Sequence, residues 1–153
     1  MALDEAARAW VARWVRLAEG DLAMARLGLD SEQFDVYELV GFHAQQAVEK
    51  FIKAFLARSA VDFQDQHDID YLQGVVRKVD SELASKIDPA ASLNRYAVGT
   101  RYPGRYAPVT RDQAQAAVLL AEQVRADILP LLADAPRPRD SLRERLRQQR
   151  GTR

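Results

Sequence analysis

The chain has 153 residues, 48% of them hydrophobic and 29% charged, which suits one domain with a buried core and excludes a wholly disordered or collagen-like polymer. Its 22 basic and 22 acidic side chains cancel, so net charge by itself points to neither nucleic acid nor membrane. With no cysteine and two histidines, His43 and His67, disulfides, thiolate catalysis and iron–sulfur clusters are excluded, and no metal or other cofactor is expected.

The opening MALDEAARAW carries two early acids and lacks a basic region followed by a long apolar run, so it is not read as a secretory signal. No stretch approaches 18 uninterrupted apolar residues, and a cytoplasmic protein without a membrane span is expected. Residues 5–28 place Trp10, Trp14, Leu17, Met24 and Ala25 at helical spacing, predicting an amphipathic helix that buries this face. Gly28 and Asp30 close it, and Asp30 with Gln33 resembles a capping box for the next helix. Residues 33–58 carry the strongest stripe: Tyr37, Gly41, Ala44, Val48, Phe51 and Phe55 fall within about 80° of arc. Gly41 and Ala44 there permit close approach of another element.

The segment SAVDFQDQHD (59–68) breaks the pattern and reads as a loop. A third helix is predicted from Asp68 to Val79, with Ile69, Leu72, Val75 and Val76 inward, followed by a short helical stretch over 81–87. Asp88-Pro89 opens another short helix toward Tyr96. The run VGTRYPGRYAPVT (98–110) reads as loop. Thr110 and Gln113 form a capping box opening the last long helix, about 111–133, with Ala117, Leu120, Ala121, Val124, Ile128 and Leu131 inward and Pro130 bending or ending it. No two-residue alternation and no internal repeat occurs. The prediction is an all-α, up-and-down bundle of about five helices, with two long antiparallel helices at its N-terminal side. Residues 1–134 form this domain; residues 135–153 form a basic tail with seven arginines against two acids, opened by Pro136 and Pro138. The tail reads either as a solvated, partly helical end or as an arm for RNA or an acidic partner.

Several residues stand out chemically. Asp21 falls in the middle of the tryptophan face, where a lone carboxylate would cost several kcal/mol, so it should have a partner in Lys50, Arg101 or a tyrosine hydroxyl. It is then either a structural ion pair or the group that orients a site arginine. The second side of the 33–58 helix mixes His43, Gln46, Lys50 and Lys53 with Leu39 and Phe42, which fits a dimer element or a second internal packing surface. His67, between Asp65 and Asp68, reads as an acid–base group or as a cap or loop-to-core hydrogen bond. The densest cluster is Asn94, Arg95, Tyr96, Arg101, Tyr102, Arg105 and Tyr106. Forked guanidinium donors match phosphate oxygens and phenols offer stacking surface, the composition of a phosphate or nucleotide site; the same residues could instead pin a Pro/Gly loop to the bundle.

Four elements in combination resemble the HEPN domain family (higher eukaryotes and prokaryotes nucleotide-binding). They are Trp14…Ala18…Asp21-Leu22…Ala25, FHAQQAVEKFIKAFL (42–56), His67-Asp68, and Asn94-Arg95-Tyr96…Thr100-Arg101-Tyr102-Pro103. The resemblance covers roughly residues 10–132. It implies a helical bundle that forms a homodimer and a frequent partner, a minimal nucleotidyltransferase, in a toxin–antitoxin pair. Many members are metal-independent endoribonucleases whose motif is an arginine, four to six residues, then a histidine. That strict motif is not found: eight residues separate Arg58 from His67, and the nearest analogue runs from Arg101 through YPGR to Tyr106. Tyrosine, with an ordinary pKa near ~10, is a poor general base at neutral pH.

The leading expectation is therefore a binding protein in which Arg101, Tyr102, Arg105, Tyr106, Lys50 and Asp21 hold a nucleotide or RNA phosphate. Modification of Tyr102 or Tyr106 by a partner transferase is a further possibility. The alternative is an endoribonuclease, with Arg101, Tyr106 and His67 as candidate catalytic residues and His43 as another group able to move the proton. A scaffold without a small-molecule site is the third reading.

Overall fold

The structure, a computed structural model, describes residues 3–104 and 106–133, and for Arg101 the backbone alone. Five α-helices account for most of it: α1 (Glu5–Asp30), α2 (Tyr37–Arg58), α3 (Ile69–Val79), α4 (Ser81–Ile87) and α5 (Arg111–Ile128). Short 3-10 segments span Asp88–Tyr96, Gly99–Arg101 and Leu129–Leu132, and there is no strand among the described residues. The all-α bundle expected from the periodicity is the fold observed. Arg105 and the tail from 135 lie outside the described residues.

The two long helices run antiparallel. Trp14 of α1 stacks near Lys53 of α2, Asp21 meets Lys50 and His43, and Gly28 approaches Val40, so numbers rise on one helix as they fall on the other. Arg26 pairs with Glu122 at 2.8 Å and Arg125 with Glu19 at 2.7 Å, which sets α5 antiparallel to α1 as well. The helix α2 is the centre of the bundle. From Ala44 to Leu56 only Gln46 and Lys50 are not fully buried, so its polar residues must find partners inside.

Local sequence explains most boundaries. Asp4 caps α1 by accepting from the Ala7 N–H at 2.7 Å. Asp80 ends α3 and caps α4, accepting from the Leu83 N–H. Thr110 and Gln113 make the expected reciprocal capping box on α5. The chain leaves α2 through Ala60, whose φ of 53° lies in the left-handed region, while the Val61 N–H returns to the Leu56 carbonyl at 3.0 Å. Asn94 ties the 88–96 segment to α3, its oxygen accepting from the Ile69 N–H at 2.9 Å and its amide donating to Asp68 at 2.8 Å.

Four expectations are corrected or refined. First, of the face expected inside on α1, Ala25 is buried and Trp14 partly buried against the core, but Trp10 is 48% exposed, Leu17 and Met24 are exposed too, and Val11, Ala18 and Leu22 go inside instead. The buried face is turned by about 80° from the tryptophan face, because small alanines let α1 lie closer to its neighbours than bulkier residues would. Second, Asp30 belongs to α1, and α2 starts seven residues later, at Tyr37, behind Val36 without a side-chain cap. Third, the short helix expected from Asp88 toward Tyr96 forms over those residues, with 3-10 geometry. Fourth, α5 gives way to 3-10 geometry at Leu129, just before Pro130, so Leu132 turns inward and Leu131 outward. Among the described residues no helix is long and apolar enough to cross a membrane.

Candidate functional site

The polar residues of α2 form one connected network along its contact with α1. At its open end, Asp21 of α1 faces two groups. Its Oδ1 is 2.9 Å from His43 Nδ1, and its Oδ2 accepts from the Lys50 ammonium. A carboxylate only accepts, so Nδ1 carries the proton toward it. Burial pushes the Asp21 carboxyl up; the His43 and Lys50 hydrogen bonds and the Lys50 charge outweigh this, so it sits below its ordinary value. Lys50 also donates to Gln46 Oε1 at 3.0 Å, and its side chain is 18% exposed.

From there the network continues inward. Gln46 Nε2 donates to Gln45 Oε1 at 2.8 Å, and Gln45 Nε2 donates to Glu49 Oε2 at 3.2 Å. Glu49, fully enclosed, also accepts from Lys53 at 2.9 Å and faces His67 Nδ1 at 3.0 Å. The buried Lys53 ammonium reaches Asp65 at 3.4 Å and lies 5.3 Å from the centre of the Trp14 ring and 5.9 Å from that of Phe63. Hydrogen bonds thus connect one histidine to the other across α1, α2 and the 59–68 loop.

Beside the open end lies an apolar cleft of about 370 Å³ where α1 meets α2, walled by Met24, Leu27, Phe34, Leu39 and Val40, with His43 on its lining. No group of three or more His, Asp or Glu side chains suited to a metal occurs among the described residues.

Of the residues singled out from sequence, Asp21 and Lys50 meet. His67 makes the loop-to-core hydrogen bond that was one of its two readings. Tyr102 and Tyr106 are 63% and 64% exposed, and the Tyr106 ring lies over Gly99, 3.1 Å from where a Cβ would stand. The side chain of Arg101, and all of Arg105, fall outside the described residues. The 98–110 loop is rooted on another side of α2: the Tyr96 ring packs on Gly41, and the Val109 N–H donates to Glu38 at 2.9 Å. Gly41 and Lys50 are nine positions apart, about 180° around a helix, so the loop's roots and the Asp21 cluster occupy opposite sides of α2. Sequence reasoning missed His43 as a partner of Asp21 and missed Gln45 and Glu49 altogether. The available signal was Gln45, Glu49 and Lys53 at four-residue spacing within an otherwise apolar stretch.

A family model for the HEPN domain matches residues 11–130. The chain belongs to the HEPN domain family. No curated protein and no solved structure matches it. The HEPN region runs from Val11, the first buried residue of α1, past the end of α5, and so contains the whole network and the 98–110 loop. Membership supports a nucleotide- or RNA-related role in the broad sense.

Proposed function

We propose that this HEPN protein is a cytoplasmic homodimer that binds a nucleotide or an RNA phosphate, and that it is the HEPN half of a toxin–antitoxin pair with a minimal nucleotidyltransferase. The observation that carries the binding reading is the state of Lys50. Its ammonium is held at Asp21 and Gln46, stays partly open to solvent, and has a third N–H that no described residue engages. Such a cation is pre-positioned, so a phosphate meets it without the entropy loss of ordering a free lysine. Arg101 and Arg105 supply forked phosphate donors in this reading, and the exposed Tyr102 and Tyr106 rings supply stacking surface.

Lys50 and the loop roots face opposite sides of α2, so a site using both takes them from different protomers. The outward Trp10 and Leu17 of α1 form an apolar surface suited to such pairing. Ribose 5-phosphate binding followed by calorimetry tests the core of this reading. Replacement of Lys50 by Met, or of Arg101 by Ala, is expected to weaken binding by about tenfold or more, the scale of a charge-assisted hydrogen bond. Equal affinity in both variants rejects the phosphate site. Co-purification with a nucleotidyltransferase encoded beside this gene tests the pairing.

A second reading, a metal-independent endoribonuclease, draws on the Asp21–His43 pair. A carboxylate-held imidazole can take the proton from an RNA 2′-hydroxyl as that oxygen attacks the adjacent phosphate and expels the 5′-oxygen, with Arg101 countering the growing charge. RNA cleavage in EDTA that disappears in both His43→Ala and Arg101→Ala selects this reading over simple binding.

A further inference from the structure

We propose that the apolar cleft at the open end of the α1–α2 contact holds a nucleobase, read by His43 through its Nε2 atom. This rests on the nucleotide-binding reading above and adds where the base goes and what selects it.

Three observations converge on it. The His43 ring is fixed: Asp21 Oδ1 takes its Nδ1 side at 2.9 Å, Lys50 holds the same carboxylate from its other oxygen, and the Phe42 ring packs edge-on 5.3 Å away. In the neutral imidazole this leaves Nε2 as an acceptor, and among the described residues nothing donates to it. The cleft beside it, about 370 Å³, falls in the size class of small-molecule sites, roughly 300–1,000 Å³. Its walls are mostly aliphatic or aromatic, from Met24, Leu27, Phe34, Leu39 and Val40, with Ser31 and His43 as the polar side chains on the lining.

The chemistry of this lining narrows the occupant. A phosphate or sugar would lose its hydration against these walls without compensation. A purely aliphatic group would strip water from the Nε2 acceptor and return no donor. A flat ring with apolar faces and an N–H edge satisfies both demands, and a base bearing an exocyclic amino group, such as adenine, is the simplest example. The placement also suits a whole nucleotide. Imidazole and ammonium meet at the two oxygens of one carboxylate, so a base seated at His43 has Lys50 on its phosphate side.

Methyl NMR titrations of the full chain test this with adenosine, N6,N6-dimethyladenosine, ribose 5-phosphate and a short single-stranded oligoadenylate. Adenosine is expected to shift the Met24, Leu27, Leu39 and Val40 methyl signals. The dimethylated nucleoside, which keeps the ring but lacks the amino protons, should bind at least about tenfold more weakly, as should adenosine to His43→Phe. The ligand comparison uses the unaltered chain and so does not depend on the variant folding. Shifts of the same methyls by the oligoadenylate assign RNA as the source of the base, and shifts by adenosine alone assign a free nucleotide. Silent cleft methyls alongside ribose 5-phosphate binding overturn the base site while leaving the phosphate reading intact. Cleft shifts without ribose 5-phosphate binding keep the base site and reject the phosphate reading. Equal affinity of the two nucleosides overturns the role of His43.

Discussion

Two carboxylates in this protein each stand between a histidine and a lysine, and the two sites differ in every other respect. Asp21 comes from α1 and gathers His43 and Lys50 from α2, so it exists only because two helices pack. Glu49 and Lys53 are a local pair one turn apart on α2, joined by His67 from the following loop. Aromatic rings and the α2 core enclose the Glu49 site, while the Asp21 site opens on a cleft. At the Glu49 site the carboxylate and Lys53 are enclosed and secure the fold, while His67 reaches them from a side chain that is 67% exposed. At the open site a cation and an imidazole are held rigid with capacity left over, which is the condition for binding something else.

The sharpest way to break that contrast is to remove each carboxylate in turn. Glu49→Ala leaves the Lys53 charge enclosed beside the indole with only a 3.4 Å contact to Asp65, and is expected to cost about 3–5 kcal/mol in urea unfolding. A loss below about 1 kcal/mol would place the two sites in one class.

Asp21→Asn should cost less, about 1–2 kcal/mol, since its surroundings are half-wet and solvent can re-satisfy Lys50. The difference also has a pH signature. The Asp21 pKa is depressed in the folded state, so its stabilisation is complete above the unfolded carboxylate value, about 4, and is lost as pH falls through the lower folded value. The stability gap between wild type and Asp21→Asn is therefore expected to be flat near neutrality and to shrink in acid. A gap that stayed constant down to the acid transition would remove the ion-pair account.

Two glycines separate a crowded side of the bundle from an open one. A Cβ at Gly41 would stand 2.6 Å from the Tyr96 ring, whereas a Cβ at Gly20 meets nothing within 4 Å. Gly41→Ala should therefore lose about 1–3 kcal/mol by overpacking, and Gly20→Ala should gain about 0.5–1 kcal/mol from helix propensity. Thermal melts of the two variants check the opposite signs.

The same contrast explains how far the sequence could be read. Helix α2 was legible because its apolar stripe is strict, and the start of α5 because Thr110 and Gln113 declare their cap locally. The face of α1 was not. Its tryptophans outweigh its alanines on any hydrophobicity scale, yet Val11, Ala18 and Leu22 go inside with Ala25 while Trp10 stays out. Asp21 and Lys50 could be suspected from a helical wheel as oppositely charged groups needing partners. His43 could not be assigned to Asp21, because that pairing depends on the rotation and depth at which α1 settles on α2.

What the amino-acid order determined by itself is therefore the set of helices, most of their caps, and the rule that polar groups on a buried helix must be paired. Each of these follows from interactions within a few residues of chain. Which groups pair, which face of α1 is wet, and which side of α2 carries the 98–110 loop were decided only by tertiary packing. Each depends on the relative rotation of two helices, and a shift of one residue turns a side chain by about 100° from one neighbour toward another.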